Sequence, residues 1–269
     1  MMTTNASIAG QVSKSAAEIY DEFFVPSLFG EWAGPLCDAA KFGPGDVVLD
    51  VACGTGATTR EAASRVQPNG RIVGLDRNDG MLAVARSRSP EIEWTEGMAE
   101  ALPFADNSFD IVLCQFGLMF FDDRMKALQE MRRVLRPGGR IAVSVWDDVK
   151  NSPGYAGMIE LIDTMFGLEA ADALRAPFML GDKAKIRSML EASGLGKAVL
   201  NTGMGTARFE SIREWVRMDV RGWTLSDLID EAGYEALVAA AEKNLRQFEG
   251  ADGSVAFPAP AHIVVWEHS

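Results

Sequence analysis

The chain has 269 residues, 48% of them hydrophobic and 24% charged. At that length a folded chain buries about three quarters of its extended surface, which excludes collagen-like, coiled-coil and disordered readings and leaves room for a full core. Acidic residues outnumber Lys and Arg by 38 to 26, a net charge of −12 that repels nucleic-acid phosphates and anionic lipid.

Residues 1–12 are small and polar and read as a flexible tail without a leader pattern. From Ser13 to Phe24, Ile19, Phe23 and Phe24 recur at helical spacing, and Pro26 interrupts. Leu28 to Phe42 reads as a second helix ended by Gly43-Pro44-Gly45. Val47 to Val51 is a β-branched apolar run, as expected of a strand buried on both faces. A glycine-rich turn follows, then a helix over Thr58–Val66 and a strand over Arg71–Asp76. Asp79 to Arg88 reads as a helix with Asp79 as N-cap. Ile92–Thr95, Phe109–Cys114 and Arg140–Trp146 read as strands, with a helix over Arg124–Leu135 stopped by Pro137-Gly138-Gly139.

Alternating strands and helices through residue 146 define βαβ units and a doubly wound, mostly parallel sheet. Beyond it, Gly154–Phe166 and Asp182–Ala192 are helical and Ala198–Phe209 is extended. Ile212–Gln247 is mainly helical, with Gly222 and Gly233 as interruptions, and Ala261–Trp266 is a closing strand. The expected architecture is α/β and Rossmann-like, with a seven-stranded sheet and helical lid insertions. It parses as one domain over 13–269, with a nucleotide-binding core at about 43–147 and additions at 13–42, 151–180 and 210–250.

The turn Cys53-Gly54-Thr55-Gly56 joins a strand to a helix N-terminus, where glycines admit a ligand and free N–H groups face it. A dinucleotide fingerprint needs a third glycine at position 59, which is Thr59. Asp50 sits in the turn region, adverse to a phosphate and suited to an ammonium group. Asp76, twenty residues after Gly56, stands where a carboxylate accepts from a ribose diol. A ribose, an amine and no phosphate describe S-adenosylmethionine.

Here the sequence resembles a known family. Val48-Leu49-Asp50-Val51-Ala52-Cys53-Gly54-Thr55-Gly56 looks like motif I of the class I S-adenosylmethionine-dependent methyltransferases. The likeness continues through Gly74-Leu75-Asp76, Ala99-Glu100-Ala101-Leu102-Pro103-Phe104, Asn107-Ser108-Phe109-Asp110 and Leu135-Arg136-Pro137-Gly138-Gly139. It covers about residues 40–146 and is greatest to the small-molecule group that includes ubiquinone/menaquinone-type methyltransferases.

The resemblance implies roles. Asp50 and the Ala52, Gly54, Thr55 and Gly56 backbone would hold the methionine part, and Asp76 the ribose hydroxyls. Arg77 and Met81 would flank the adenine, with Gly97, Met98 and Ala99 on its other edge. Gln115 would sit near the transferred methyl, and Tyr20 and Phe24 would cover the cofactor. Ala52 stands where the family has its first motif glycine. Met98 replaces a common Asp, so adenine recognition must lean on packing and backbone.

Other chemistry is thin. Methyl transfer from a sulfonium is an in-line displacement in which the protein mainly positions the acceptor. His262 reads as a core or edge residue and His268 as solvated; neither forms an acid–base site, and no catalytic residue is assigned. Asp147 and Asp148 follow the fifth strand where some relatives hold a metal; they read as loop caps, with no metal site. The cluster Arg132, Arg133, Arg136 and Arg140 reads as a solvated helix face. Cys37, Cys53 and Cys114, an odd count, read as packing thiols in a reducing cytoplasm. The longest apolar run, 111–121, is too short to span a bilayer.

The aromatic and Met residues of the additions (Met158, Met165, Phe166, Phe178, Met179, Trp215, Met218, Trp223) read either as core or as an apolar lid over an acceptor pocket. The expected activity is methyl transfer to a small, fairly apolar molecule, with S-adenosylhomocysteine as product and no nucleic-acid or membrane partner. The alternatives are a non-catalytic S-adenosylmethionine-binding regulatory module and another nucleotide user, such as an aminopropyl transferase or an NAD(P) oxidoreductase. The acceptor, its O, N or C atom and the oligomeric state are left open.

Overall fold

A computed structural model describes residues 14–66, 68–222 and 224–268. The tail at 1–12, Ser13 and Trp223 lie outside the described residues. Seven strands form one sheet in the spatial order β3-β2-β1-β4-β5-β9-β6. They are β1 (Val47–Val51), β2 (Arg71–Asp76), β3 (Glu93–Glu96), β4 (Phe109–Gln115), β5 (Leu135–Trp146), β6 (Val199–Gly203) and β9 (Ala261–Glu267). Only β9 runs against its neighbours, pairing antiparallel to both β5 and β6. The doubly wound, mostly parallel sheet expected from the sequence is therefore present, with its order reversing between β1 and β4. Ligands bind at such a switch point, outside the carboxyl ends of the strands.

The helices α3 (Ala57–Arg65), α4 (Asp79–Arg88) and α5 (Arg124–Val134) are the crossovers of this core. α1 (Lys14–Ile19) and α2 (Ala33–Ala40) precede it; α6 (Pro153–Phe166), α7 (Leu168–Arg175), α8 (Lys183–Ala192), α9 (Ile212–Arg221) and α10 (Glu231–Asn244) follow. β7 (Thr206–Phe209) and β8 (Val255–Pro258) form a separate two-stranded sheet. Among the described residues no helix is long and apolar enough to cross a membrane.

Several expectations are corrected. Pro26 does not interrupt the first helix: α1 passes into a π-helix over Tyr20–Phe29 with Pro26 inside it, and the N–H of Gly30 reaches back five residues to Val25. The wider turn relieves the clash that a proline ring makes with the preceding turn of an α-helix. The second helix is regular only from Ala33. Asn78 rather than Asp79 caps α4, its side chain accepting from the N–H of Met81. Gly233 does not interrupt but lies in the first turn of α10, where its N–H donates to the capping Asp230.

The extended stretch 198–209 divides between two sheets. The break falls where Trp32 packs against Gly203 and Gly205; a Cβ on either would lie 2.9 or 2.5 Å from the indole. His268 is half-buried and stacked on Trp266 at 5.3 Å rather than solvated. The arginine cluster is neutralised locally: Arg133 pairs with Glu130 and Asp106, Arg136 with Asp110 and Arg140 with Glu267, while Arg132 lies over Trp266.

Candidate cofactor and acceptor sites

β1 is buried because it is central, paired to β2 on one side and β4 on the other. Its penultimate residue, Asp50, lies in the interior, 1% exposed. Thr59, where a dinucleotide fold would have glycine, donates its hydroxyl to Asp50 Oδ2 at 2.6 Å. Asp50 Oδ1 is buried and has no partner among the described residues. Burial pushes the Asp50 carboxyl up to about 7, the Thr59 hydroxyl opposing and Asp76 adding to the effect.

The loop after β1 is shaped by left-handed backbone at Ala52 (φ 58°), Gly54 (55°) and Gly56 (86°). Ala52 holds a conformation that favours glycine, at a cost on the order of 1–3 kcal/mol. Its methyl faces Gly117, where an added Cβ would lie 2.7 Å away. Gly56 and Gly74 make room for Trp94; a Cβ on them would fall 2.3 and 2.4 Å from its ring. Arg60, from the second turn of α3, donates to the carbonyl of Thr55 at 2.7 Å and stands 3.8 Å from Asp21 of the π-helix.

A cavity of about 330 Å³, mouth included, opens above this loop. Of the sequence-predicted residues, Tyr20, Asp50, Ala52, Gly54, Thr55 and Gln115 line it. Three polar atoms there are buried without a partner among the described residues: Asp50 Oδ1, Thr55 Oγ1 and Gln115 Oε1. Gln115 is aimed by its own Nε2, which donates to the Phe29 carbonyl at 3.1 Å. Ala57 and Thr58, in the first turn of α3, also face the cavity, where backbone N–H groups lack helical partners. Two carbonyl-type acceptors beside a hydroxyl and a helix N-terminus fit an α-amino acid end, ammonium to the acceptors and carboxylate to the donors.

Asp76 lies at the end of β2. Its Oδ2 accepts from Gly54 N and its Oδ1 from Asn78 N, both at 2.8 Å. Burial raises its carboxyl above the usual range, and those two bonds oppose the shift. Each oxygen keeps a lone pair for a further donor such as a ribose hydroxyl. Met81 packs with Tyr20 and Ala17, and Arg77 stands 3.6 Å from Asp122. Gly97 donates its N–H to the Asp76 carbonyl, Met98 is 46% exposed and Ala99 is buried. These four residues, 77 and 97–99, surround the ends of β2 and β3 and do not line the cavity.

Phe24 faces a second cavity instead, about 440 Å³ with its mouth. Its walls are the rings of Phe24, Phe29, Phe120, Trp146, Tyr155 and Phe178, with Asp219 the only carboxylate among the described lining residues. Phe29 lines both cavities. Of the lid candidates, Phe178 lines this cavity. Met158, Trp215 and Met218 are core, and Met179 is 47% exposed.

Tyr155, Trp146 and Asp219 were not anticipated. The signal for Asp219 is a carboxylate in phase with the apolar face of an amphipathic helix, four residues after Trp215 and three after Val216.

The remaining polar candidates are structural. His262 is fully buried, 3.0 Å from both the Gly181 carbonyl and Asp147 Oδ1 through Nε2. The carbonyl can only accept, so Nε2 carries a proton, and Nδ1 lies 2.9 Å from the Thr202 hydroxyl. Asp147 also accepts from Asp148 N and Asn151 Nδ2, which ties the loop after β5. Cys37, Cys53 and Cys114 are buried thiols that burial pushes above the ordinary range.

Known proteins match this arrangement. Residues 49–143 match the methyltransferase domain family. A ubiquinone/menaquinone biosynthesis C-methyltransferase of Hahella chejuensis is 34% identical over 213 residues, 72% of this chain and 86% of that one. A 2-phytyl-1,4-naphtoquinone methyltransferase of Thermosynechococcus vestitus is 42% identical over 133 residues, 47% of this chain and 59% of that one. In fold, a putative methyltransferase from an antibiotic biosynthesis pathway of Anabaena variabilis superposes with a TM-score of 0.63 at 17% identity, covering 87% of this chain and 96% of its own. Haemonchus contortus phosphoethanolamine N-methyltransferase 2, solved with S-adenosyl-L-methionine, gives a TM-score of 0.58 at 17% identity, covering 97% of this chain and 58% of its own.

The chain belongs to the class I S-adenosylmethionine-dependent methyltransferases. It is a small-molecule enzyme of the kind that uses S-adenosylmethionine to methylate a fairly apolar acceptor.

Proposed function

We propose that this protein methylates a flat, apolar ring compound of the quinone class in its hydroquinone form. The carrying observation is the pair of cavities sharing Phe29, one with orphaned polar atoms and one walled by aromatic rings. When bound, S-adenosylmethionine supplies an electrophilic methyl on a sulfonium. Asp50 Oδ1 and Gln115 Oε1 would hold its ammonium, Thr55 and the first turn of α3 its carboxylate, and Asp76 the ribose diol. Arg77 and Met81 would flank the adenine, with Gly97, Met98 and Ala99 on its other edge. Phe24 and Phe29 would exclude water and hold the acceptor on the side of the shared wall facing the cofactor cavity. An electrophilic methyl needs an electron-rich ring, which favours the hydroquinone over the quinone. The names of the relatives support the quinone class.

The organisation proposed is a single domain over 13–269, with the cofactor core at about 43–147 and the additions at 13–42, 151–180 and 210–250 closing the acceptor side. The acidic charge and three free thiols support a cytoplasmic setting and a partner that is a small molecule rather than nucleic acid or membrane. Calorimetric titration with S-adenosylmethionine, S-adenosylhomocysteine and NAD tests the cofactor site. Micromolar binding of the first two and none of NAD is expected; NAD binding alone would overturn the reading. Asp76→Ala should weaken S-adenosylhomocysteine by about 1–3 kcal/mol, because the ribose loses a charged acceptor and Gly54 loses its anchor.

A further inference from the structure

Asp219 is 3% exposed on the apolar face of α9 and lines the aromatic cavity. Its Oδ2 has no partner among the described residues. The indole N–H of Trp215, one turn back, is the nearest donor and partly offsets the effect of burial on the carboxyl, but neither Trp215 Nε1 nor Asp219 Oδ2 completes a hydrogen bond of good geometry among the described residues. Asp219 caps no helix and pairs with no cation among the described residues. Tyr155 of α6 lines the same cavity, and its phenol is pushed up by its own burial and then by Asp219. A carboxyl so placed destabilises the fold unless a ligand uses it, and buried polar groups without partners are rare in native proteins.

We propose, resting on the reading that this cavity holds the acceptor, that Asp219 is the specificity-determining residue of the enzyme. Its carboxyl makes the polar contact to a ring oxygen of the acceptor, and the surrounding rings hold the rest by stacking and burial. Burial pushes the Asp219 carboxyl well above its ordinary value. Burial thus favours the protonated carboxyl, an O–H donor matched to an oxygen lone pair, over the carboxylate that a cation would need. The site would reject an isosteric acceptor that lacks the oxygen, since the carboxyl would then be left buried and unpaired.

The probes are 1-naphthol and 1-methylnaphthalene, alike in shape and different in the oxygen, with 1-naphthylmethylammonium as the cationic comparison. Binding is read from quenching of the intrinsic tryptophan emission, to which Trp146 in the cavity wall contributes. The wild type is expected to hold 1-naphthol roughly tenfold tighter than 1-methylnaphthalene. Asp219→Leu should bring that ratio to about one, and Asp219→Asn, which can still hydrogen-bond, should restore most of it. A structural role would change both affinities together and leave the ratio alone. An equal hold on the two neutral probes by the wild type, an unchanged ratio in Asp219→Leu, or tighter binding of the ammonium probe would overturn the proposal. S-adenosylhomocysteine titrated into the same variants reports the cofactor site separately. Its failure to bind the wild type would refute the methyltransferase reading without altering the naphthol ratio.

Discussion

When S-adenosylhomocysteine enters the glycine-loop cavity near neutral pH, about half a proton should leave the protein. The Asp50 carboxyl stands at about 7 in the free protein because it is buried with only the Thr59 hydroxyl for company. A bound ammonium favours the carboxylate, so the protons still on Asp50 are released on binding. With a value of about 7, the free carboxyl carries about 0.9 proton at pH 6, about 0.5 at pH 7 and under about 0.05 at pH 8.5. Calorimetry at each pH, in buffers of low and high ionisation enthalpy, reads the release directly. Asp50→Asn should abolish it and weaken binding by about 2 kcal/mol or more, because the ammonium loses a buried charged partner.

The free protein should show the same group in its stability. The folded value lies above the unfolded one, so the contribution is fully present below about pH 4 and is lost as pH rises through about 7. Its size is on the order of 4 kcal/mol. Asp50→Asn should flatten that part of the Tm profile. A binding enthalpy independent of buffer at pH 6 and 7, or the same release from Asp50→Asn, would refute the reasoning.

Other consequences can be checked independently. Thr59→Val removes the one hydrogen bond to Asp50 and should move the proton-release curve to higher pH; an unmoved midpoint would show that Thr59 does not hold the carboxylate. Gly74→Ala drives a methyl to within 2.4 Å of the Trp94 ring and should cost about 1–3 kcal/mol, read by thermal melting with tryptophan fluorescence; an unchanged Tm would mean that the indole moves freely. Asp219→Leu should raise Tm, since it replaces an unsatisfied buried polar group by an apolar one, a gain of about 1–3 kcal/mol. A lower Tm would reveal a structural partner.

The parallel core was legible because β1, β2 and β4 are buried on both faces and therefore read as uninterrupted apolar runs, and because Gly54, Gly56 and Asp76 must occupy fixed places at their ends. The outer elements were less so. Val255–Pro258 is short and ends in proline, and its partner Thr206–Phe209 lies 46 residues back from its start, so no local pattern announces the pairing. Ten residues of π-helix cannot be told from α by apolar spacing, since periods of about 3.6 and 4.4 diverge by less than one turn over that length. Nor does a sequence say which orphan a fold will leave. Asp219 is one more surface-type residue until Trp215 and Val216 fix its phase.

The π-helix from Tyr20 to Phe29 gives Tyr20, Val25 and Phe29 to the cofactor cavity and Phe24, Leu28 and Phe29 to the aromatic one. Ligands in the two cavities would thus press on one shared wall. If either shifts that segment on arrival, the work of shifting it is done once for both, and the second arrival meets a wall already displaced. Reciprocity then requires that each raise the affinity of the other by the same factor, whichever comes first. An enzyme so coupled would hold its two substrates together better than it holds either alone, and would hold each more weakly once the other had left.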